Sequence, residues 1–153
     1  MKLSELLHEK EVFVIRPDQN TQEAAELMAE KGIGALPVVK DDNLVGIFTE
    51  RDMLKRVIAG KRVPAETNVE SVMTKELIVV EPDHDVNDCI ALMKKFNIRH
   101  IPVVKDNDLT GIISLRDLLQ IEIEDKSFEI RVLNEYIHYI PPYKVKEQYD
   151  TNA

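Results

Sequence analysis

Two seven-residue stretches carry the side chains from which a polar ligand site can be built: Gly46-Ile47-Phe48-Thr49-Glu50-Arg51-Asp52 and Gly111-Ile112-Ile113-Ser114-Leu115-Arg116-Asp117. In each, an apolar run gives way to polar residues at a hydroxyl side chain, so a strand is expected to end and a helix to begin at Thr49 and Ser114. A helix N-terminus presents N–H groups without partners and a partial positive charge, which favours a phosphate. The hydroxyl can donate to a phosphate oxygen. One turn on, the carboxylate of Asp52 or Asp117 can accept from two vicinal sugar hydroxyls. The same three-residue spacing is also that of a capping box, worth about 1 kcal/mol to each helix with no ligand at all. A box usually has the longer Glu or Gln in third place. Asp in both stretches leaves ligand contact and capping open, and the two roles can coexist.

The elements that must position these residues occur twice. Pro17 and Pro82, Pro37 and Pro102, Gly46 and Gly111, and Asp52 and Asp117 are each 65 positions apart. VFVIRPDQNTQEAAELMAEKGIGALPVVKDDNLVGIFTERDML therefore aligns with LIVVEPDHDVNDCIALMKKFNIRHIPVVKDNDLTGIISLRDLL without a gap. Upstream, the same offset pairs Glu5, Lys10 and Glu11 with Glu70, Lys75 and Glu76. Internal repetition of this kind means one supersecondary unit used twice.

Each copy predicts the same elements. VFVI and LIVV read as short buried strands stopped by Pro-Asp. An amphipathic helix follows, with Ala24, Leu27 and Met28, or Cys89, Leu92 and Met93, on one face. It ends at Gly32 or Asn97, the residue types that best tolerate a left-handed C-cap. LPVVKDDNLVGIF and IPVVKDNDLTGII read as hairpins, and a second helix begins at the hydroxyl residue. The expected fold is thus α/β (α+β): two β-α-β-β-α repeats packed through their sheets about a pseudo-twofold axis, plus a C-terminal helix. The division is residues 1–60 and 69–125 for the repeats, 61–68 for a linker, with Gly60 closing the helix before it and Pro64 preventing that helix from continuing, and 126–153 for a helix and a loose tail.

These repeats resemble cystathionine-β-synthase (CBS) domains, and the tandem pair resembles a Bateman module. The resemblance is carried by IGALPVVKDDNLVGIFTERDML, IRHIPVVKDNDLTGIISLRDLL and the lead-in VMTKELIVVEPD, and it covers about residues 3–125. FEIRVLNEYI is similar to the last helix of small bacterial and plant proteins with little beyond one such pair. The resemblance implies clefts between the repeats that bind AMP, ADP, ATP, NAD or S-adenosylmethionine, and pairing of modules into a disc.

It also implies roles for residues. Asp52 and Asp117 would hold the ribose, with Thr49 and Ser114 assisting near the phosphate or ribose. Arg99 and His100 would reach phosphates. The first copy has Gly34 and Ala35 in their places, so the two sites should differ in affinity for phosphate-rich ligands. Arg51 and Arg116 either reach phosphates or are solvated helix residues. Ile15 and Val80 would flank the adenine, with Ile33 and Ile98 as walls.

Beyond Leu115, residues Leu119, Ile123, Lys126, Ile130, Leu133, Ile137 and Ile140 form a seam at alternating spacings of four and three. That is coiled-coil-like and suits a dimer-forming helix; two helices broken near Asp125–Ser127 are the other reading. Bulk properties narrow the function. A net charge of −8 opposes binding to nucleic acid, which rests on Lys and Arg contacts to phosphates. No apolar run reaches the roughly 18 residues of a membrane span, and the charged N-terminus does not read as a signal peptide. A cytoplasmic protein is expected, with lone Cys89 as a core residue. No metal-ligand cluster, P-loop or acid–base pair points to an enzyme. The expected function is a stand-alone regulatory homodimer that binds an adenine nucleotide and signals to a separate protein. A ligand-independent dimerisation scaffold and an S-adenosylmethionine sensor are the alternatives.

Overall fold

The computed structural model describes residues 1–7 and 10–125. The chain divides into two compact units, Met1–Leu115 and Arg116–Ala153. Both hairpins lie in the first unit. The described part of the second is the remainder of the last helix.

Helix α1 (Thr21–Lys31) starts where the Asn20 side chain accepts from Glu23 N, and it ends at Gly32 with φ 63°. Its counterpart α4 (Val86–Phe96) starts where Asp85 accepts from Asn87 N and ends at Asn97 with φ 51°. Gly adopts that left-handed backbone at no steric cost and Asn tolerates it better than most residues. The same N–H closes both caps, from Ile33 to Met28 O and from Ile98 to Met93 O, each 3.0 Å.

Strands β1 (Ala35–Lys40) and β2 (Asn43–Thr49) form one antiparallel hairpin; β3 (His100–Lys105) and β4 (Asp108–Ser114) form the other. Their tips, Asp41-Asp42 and Asp106-Asn107, have positive φ at both residues. That is the two-residue turn whose twist matches the strands. Each hairpin also bulges at the same place, Val38/Val39 and Val103/Val104. β2 and β4 lie side by side, so the hairpins meet through their second strands.

VFVI and LIVV are less than the buried strands expected. Each makes a single parallel bridge, at Ile15 to β1 and at Val80 to β3. Ile15 N donates to Pro37 O and Val39 N to Ile15 O; Val80 N donates to Pro102 O and Val104 N to Val80 O. Val14 and Val79 are exposed beside the buried Ile15 and Val80, as the alternation of an extended chain requires.

The second helix differs between repeats. After β2, α2 (Glu50–Asp52) continues as a π-helix over Met53–Ile58, closed by Ala59 N to Leu54 O. After β4, α5 (Leu115–Asp125) is α-helical throughout. The first of these ends at Ile58, with Ala59 as its C-cap. The positive φ falls at Lys61, and Gly60 is needed because a Cβ there would run into the Arg56 carbonyl. Pro64 opens a single 3-10 turn, Pro64–Glu66, and α3 (Val69–Val72) follows.

The core of the first repeat gathers Ile15, Ala24, Met28, Leu36, Val38, Phe48 and Val57, and it is completed by Val69, Val72 and Met73 from beyond the linker. The lead-in segments are exchanged. Thr21 N donates to Thr67 O, Val69 N to Gln19 O and Glu70 N to Pro17 O, so the lead-in of the second repeat straps the first. The mirror set is Val86 N to Met1 O, Leu3 N to His84 O and Ser4 N to Pro82 O.

This mirror set corrects the alignment upstream. The straps match at an offset of 66, Leu3 with Val69 and Ser4 with Glu70, whereas the strands match at 65. One extra residue therefore enters the first repeat between Leu7 and Ile15. Glu5 and Glu70, paired by letter in the sequence, are not equivalent in space.

Candidate functional site

The junction between β2 and α2 places the first motif. Thr49 is extended (φ −118°, ψ 165°) and caps α2. Asp52 N donates to Thr49 Oγ1 at 3.2 Å, while Thr49 N donates to Asp52 Oδ2 at 3.0 Å and Thr49 Oγ1 to the same oxygen at 3.1 Å. The capping box is therefore formed, with Asp doing what Glu or Gln usually does. Asp52 does more than cap. Thr74 Oγ1, from the strap, lies 3.1 and 3.3 Å from its two oxygens, and Arg56 Nε is 3.6 Å from Oδ1. Arg56 also donates to the carbonyls of Val72 and Met73. Asp52 is only 6% exposed. Its carboxylate is a hub joining a helix end, a strap and a cation.

In the second motif, Ser114 ends β4 half-buried and Asp117 stands half-buried in the first turn of α5. Leu115 N donates to Arg99 O at 2.8 Å, the exact counterpart by position of Glu50 N to Gly34 O at 3.0 Å. Arg99 and Arg116 are exposed and His100 is half-buried at the start of β3.

The two repeats touch at residues the motifs flank. Arg51 Nη1 donates to Asn97 O at 2.8 Å. This cation holds the carbonyl end of α4, where the helix dipole is negative. A simply solvated Arg51 is thereby corrected: it is a cross-repeat tie. A Cβ built on Gly34 would run into the Glu50 carboxylate and would come 3.3 Å from His100 Cε1. The absent side chain of Gly34 is what lets His100 of one repeat and Glu50 of the other share that space.

Ile15 and Val80 lie deep in the structure. Each is 2% exposed, and both backbone polar groups of each are spent on the parallel bridge. They stand in the core beside each hairpin. Ile33 and Ile98 are half-buried.

Sequence reading missed Thr74, Arg56 and Glu50. Thr74 belongs to VMT, read only as a lead-in, and its contact with Asp52 spans 22 positions, which no local spacing reveals. Arg56 sits four residues after Asp52, a spacing that does signal a pair on a helix.

Among the described residues no group of three or more His, Cys, Asp or Glu could hold a metal ion, and no helix is long and apolar enough to cross a membrane. Burial, with the nearby Asp88 and Asp85 carboxylates, pushes the Cys89 thiol up to about 11. It is a core residue and not a nucleophile. Asp85 moves the other way, held below the usual carboxylate range by the Asn87 N–H it accepts.

Comparison with known proteins bears on the whole arrangement. The CBS domain model matches twice, over residues 3–59 and 69–124. The chain is 38% identical over 117 residues to CBS domain-containing protein YhcV of Bacillus subtilis, covering 76% of this chain and 83% of that one. A signal-transduction protein with CBS domains from Burkholderia ambifaria superposes with a TM-score of 0.79 at 37% identity, covering 84% of this chain and 98% of that one. The CBS domain pair of protein MJ0100, solved with 5′-methylthioadenosine and S-adenosyl-L-methionine, superposes with a TM-score of 0.74 at 27% identity, covering 82% and 98%. The chain belongs to the CBS-domain family as a tandem pair, a regulatory ligand-binding module and not an enzyme.

Proposed function

We propose that this pair senses an adenine nucleotide, AMP, ADP, ATP or NAD, and passes the signal to a separate protein from a homodimer in the cytoplasm. The observation that carries the reading is the doubled strand-to-helix junction of G-x-x-T/S-x-x-D. It brings a hydroxyl, a helix N-terminus and a carboxylate within one turn, groups that suit a phosphorylated sugar. The two adenosine-containing ligands of the MJ0100 pair support an adenosine half in common. They also keep S-adenosylmethionine as an alternative ligand.

The two motifs have unequal parts in this reading. A ribose at Asp52 would have to displace Thr74 or Arg56 from its carboxylate. Asp117 and Ser114 serve the second site, which alone has Arg99 and His100 where the first repeat has Gly34 and Ala35, and so is the one suited to phosphate-rich ligands. Thr49, Asp52 and Arg51 serve a weaker site, and Arg116 assists at phosphate. For the adenine, the exposed Val14 and Val79 replace Ile15 and Val80 as the apolar side chains. A ligand controls the module only if it binds one arrangement of repeats or subunits better than another. A ligand-independent scaffold is favoured by one observation, the full occupation of Asp52 by protein groups.

The test is thermal unfolding of nucleotide-stripped protein with AMP, ADP, ATP, NAD and S-adenosylmethionine. A ligand that binds the folded state alone stabilises it by about 2.7 kcal/mol at a hundredfold excess over its dissociation constant. A raised midpoint with one nucleotide, abolished in Asp117→Ala, is expected. No shift with any of them leaves the scaffold.

A further inference from the structure

We propose that Glu50 sorts ligands by charge: the site of the first repeat takes an adenosine whose 5′ substituent is cationic, a sulfonium, and leaves phosphate-bearing ones to the second. This inference rests on the sensor reading above and names the ligand class of its first site.

One backbone bond turns the same corner in both repeats. Glu50 N donates to Gly34 O at 3.0 Å, and Leu115 N to Arg99 O at 2.8 Å. The residue before each hairpin is thereby held beside the residue after each motif hydroxyl. The side chains at the two corners are opposite in kind. The first has a glycine and a carboxylate, the second an arginine and the apolar Leu115. An arginine follows in both, Arg51 or Arg116, and so does not distinguish them.

Glu50 is exposed, yet its carboxylate is folded back over the glycine. A Cβ built on Gly34 would run into Glu50 Oε1. With no side chain at position 34, this oxygen reaches the place from which a cationic side chain departs in the second repeat. An acid in the first turn suits the helix dipole. The dipole alone does not account for its lying against Gly34 instead of in water.

Two other groups bear on the charge of this corner. Arg56 is directed at Asp52 and at the carbonyls of Val72 and Met73. His100 arrives from the other repeat, its Cε1 3.3 Å from the same Cβ position. A neutral imidazole leaves the charge of Glu50 whole, and an imidazolium cancels it. Neither state makes the two groups together positive, whatever else His100 touches. A phosphate at this corner therefore meets a carboxylate, whereas at the other it meets the permanently charged Arg99. A sulfonium has the reverse preference.

The test is calorimetric titration of the full chain with S-adenosylmethionine, S-adenosylhomocysteine and ATP. The first two share the adenosine and the amino-acid tail and differ at sulfur, a charged sulfonium against a neutral thioether. The wild-type chain should bind the sulfonium more tightly than the thioether, and should bind it together with ATP. Glu50→Gln keeps size and polarity and removes the charge. It should lower the affinity for the sulfonium about fivefold and leave that for the thioether unchanged. Glu50→Leu should shift the same ratio in the same direction. Equal losses for sulfonium and thioether in both variants would make Glu50 a structural residue and overturn the proposal. Competition between the sulfonium and ATP for a single site would overturn it too. If none of the three binds the wild-type chain, the sensor reading fails and takes this one with it. Binding with a sulfonium-to-thioether ratio that Glu50→Gln does not alter sinks the charge assignment and leaves the sensor standing.

Discussion

The two repeats share the backbone hydrogen bonds of their bridges, helix caps and straps, yet the helices that carry their motif carboxylates wind differently. Asp52 is buried beneath a strap and an arginine, with Thr49, Thr74 and Arg56 all directed at it. Asp117 stands half-buried in the first turn of a regular helix, and Ile121 stands 65 positions after Arg56. Around Asp52 the first helix runs into a π turn, a winding that often marks functional sites. The duplication kept the frame of hairpins, caps and straps while side chains diverged, and around Asp52 they built a hub that includes Arg56, where the second repeat has Ile121.

The largest effect that would break this comparison is at the carboxylates. Asp52→Ala takes the carboxylate away from Thr74 and Arg56 and removes a cap. It should cost about 2–4 kcal/mol, a midpoint roughly 10 °C lower in thermal unfolding. Asp117→Ala should cost about 1 kcal/mol but abolish the nucleotide-induced shift. Equal destabilisation by the two would show that the carboxylates are structurally equivalent after all.

The paired glycines sharpen it. A Cβ at Gly46 would come within 2.6 Å of Met73 Sδ and 3.0 Å of Thr74 O, a strap backbone atom that cannot swing away. At Gly111 it would meet only Leu7, at the far end of its side chain. In urea unfolding, Gly46→Ala should cost about 1–3 kcal/mol and Gly111→Ala less than about 1.

Smaller still is the difference at the helix caps. Gly32 and Asn97 have nearly the same φ. Gly32→Ala should cost about 1 kcal/mol, and Asn97→Gly should be within about 0.5 kcal/mol of neutral. A large loss in Asn97→Gly would mean that the Asn side chain does more than tolerate the backbone.

The last prediction concerns Cys89, whose place in the first repeat is taken by Ala24. Its pKa is raised in the folded state to about 11, from 9.0. Stability from the neutral thiol is full below pH 9 and is lost as pH rises from about 9 through 11, because only the unfolded chain ionises there. Cys89→Ala should flatten that alkaline decline in a Tm-against-pH series, and a decline unchanged by the substitution would place its cause elsewhere.

The repeat, the hairpins with their two-residue turns, the left-handed caps at Gly32 and Asn97, and the core position of Cys89 were all legible in the sequence. Each depends on short-range spacing or on what one residue type permits. Seam residues from Lys126 to Ile140 lie outside the described residues, and α5 carries the pattern as far as Asp125. The tertiary structure decided three other things. It exchanged the straps and shifted them to an offset of 66, because strap hydrogen bonds are made to the other repeat and leave no trace in local pattern. It gave Arg51 to Asn97 and Thr74 to Asp52, contacts across 46 and 22 positions. It buried Ile15 and Val80 while exposing Val14 and Val79, since one residue of an extended chain faces opposite its neighbour. Composition and spacing say which groups are present and how they can be held; which acceptor each donor meets is settled only when distant segments pack.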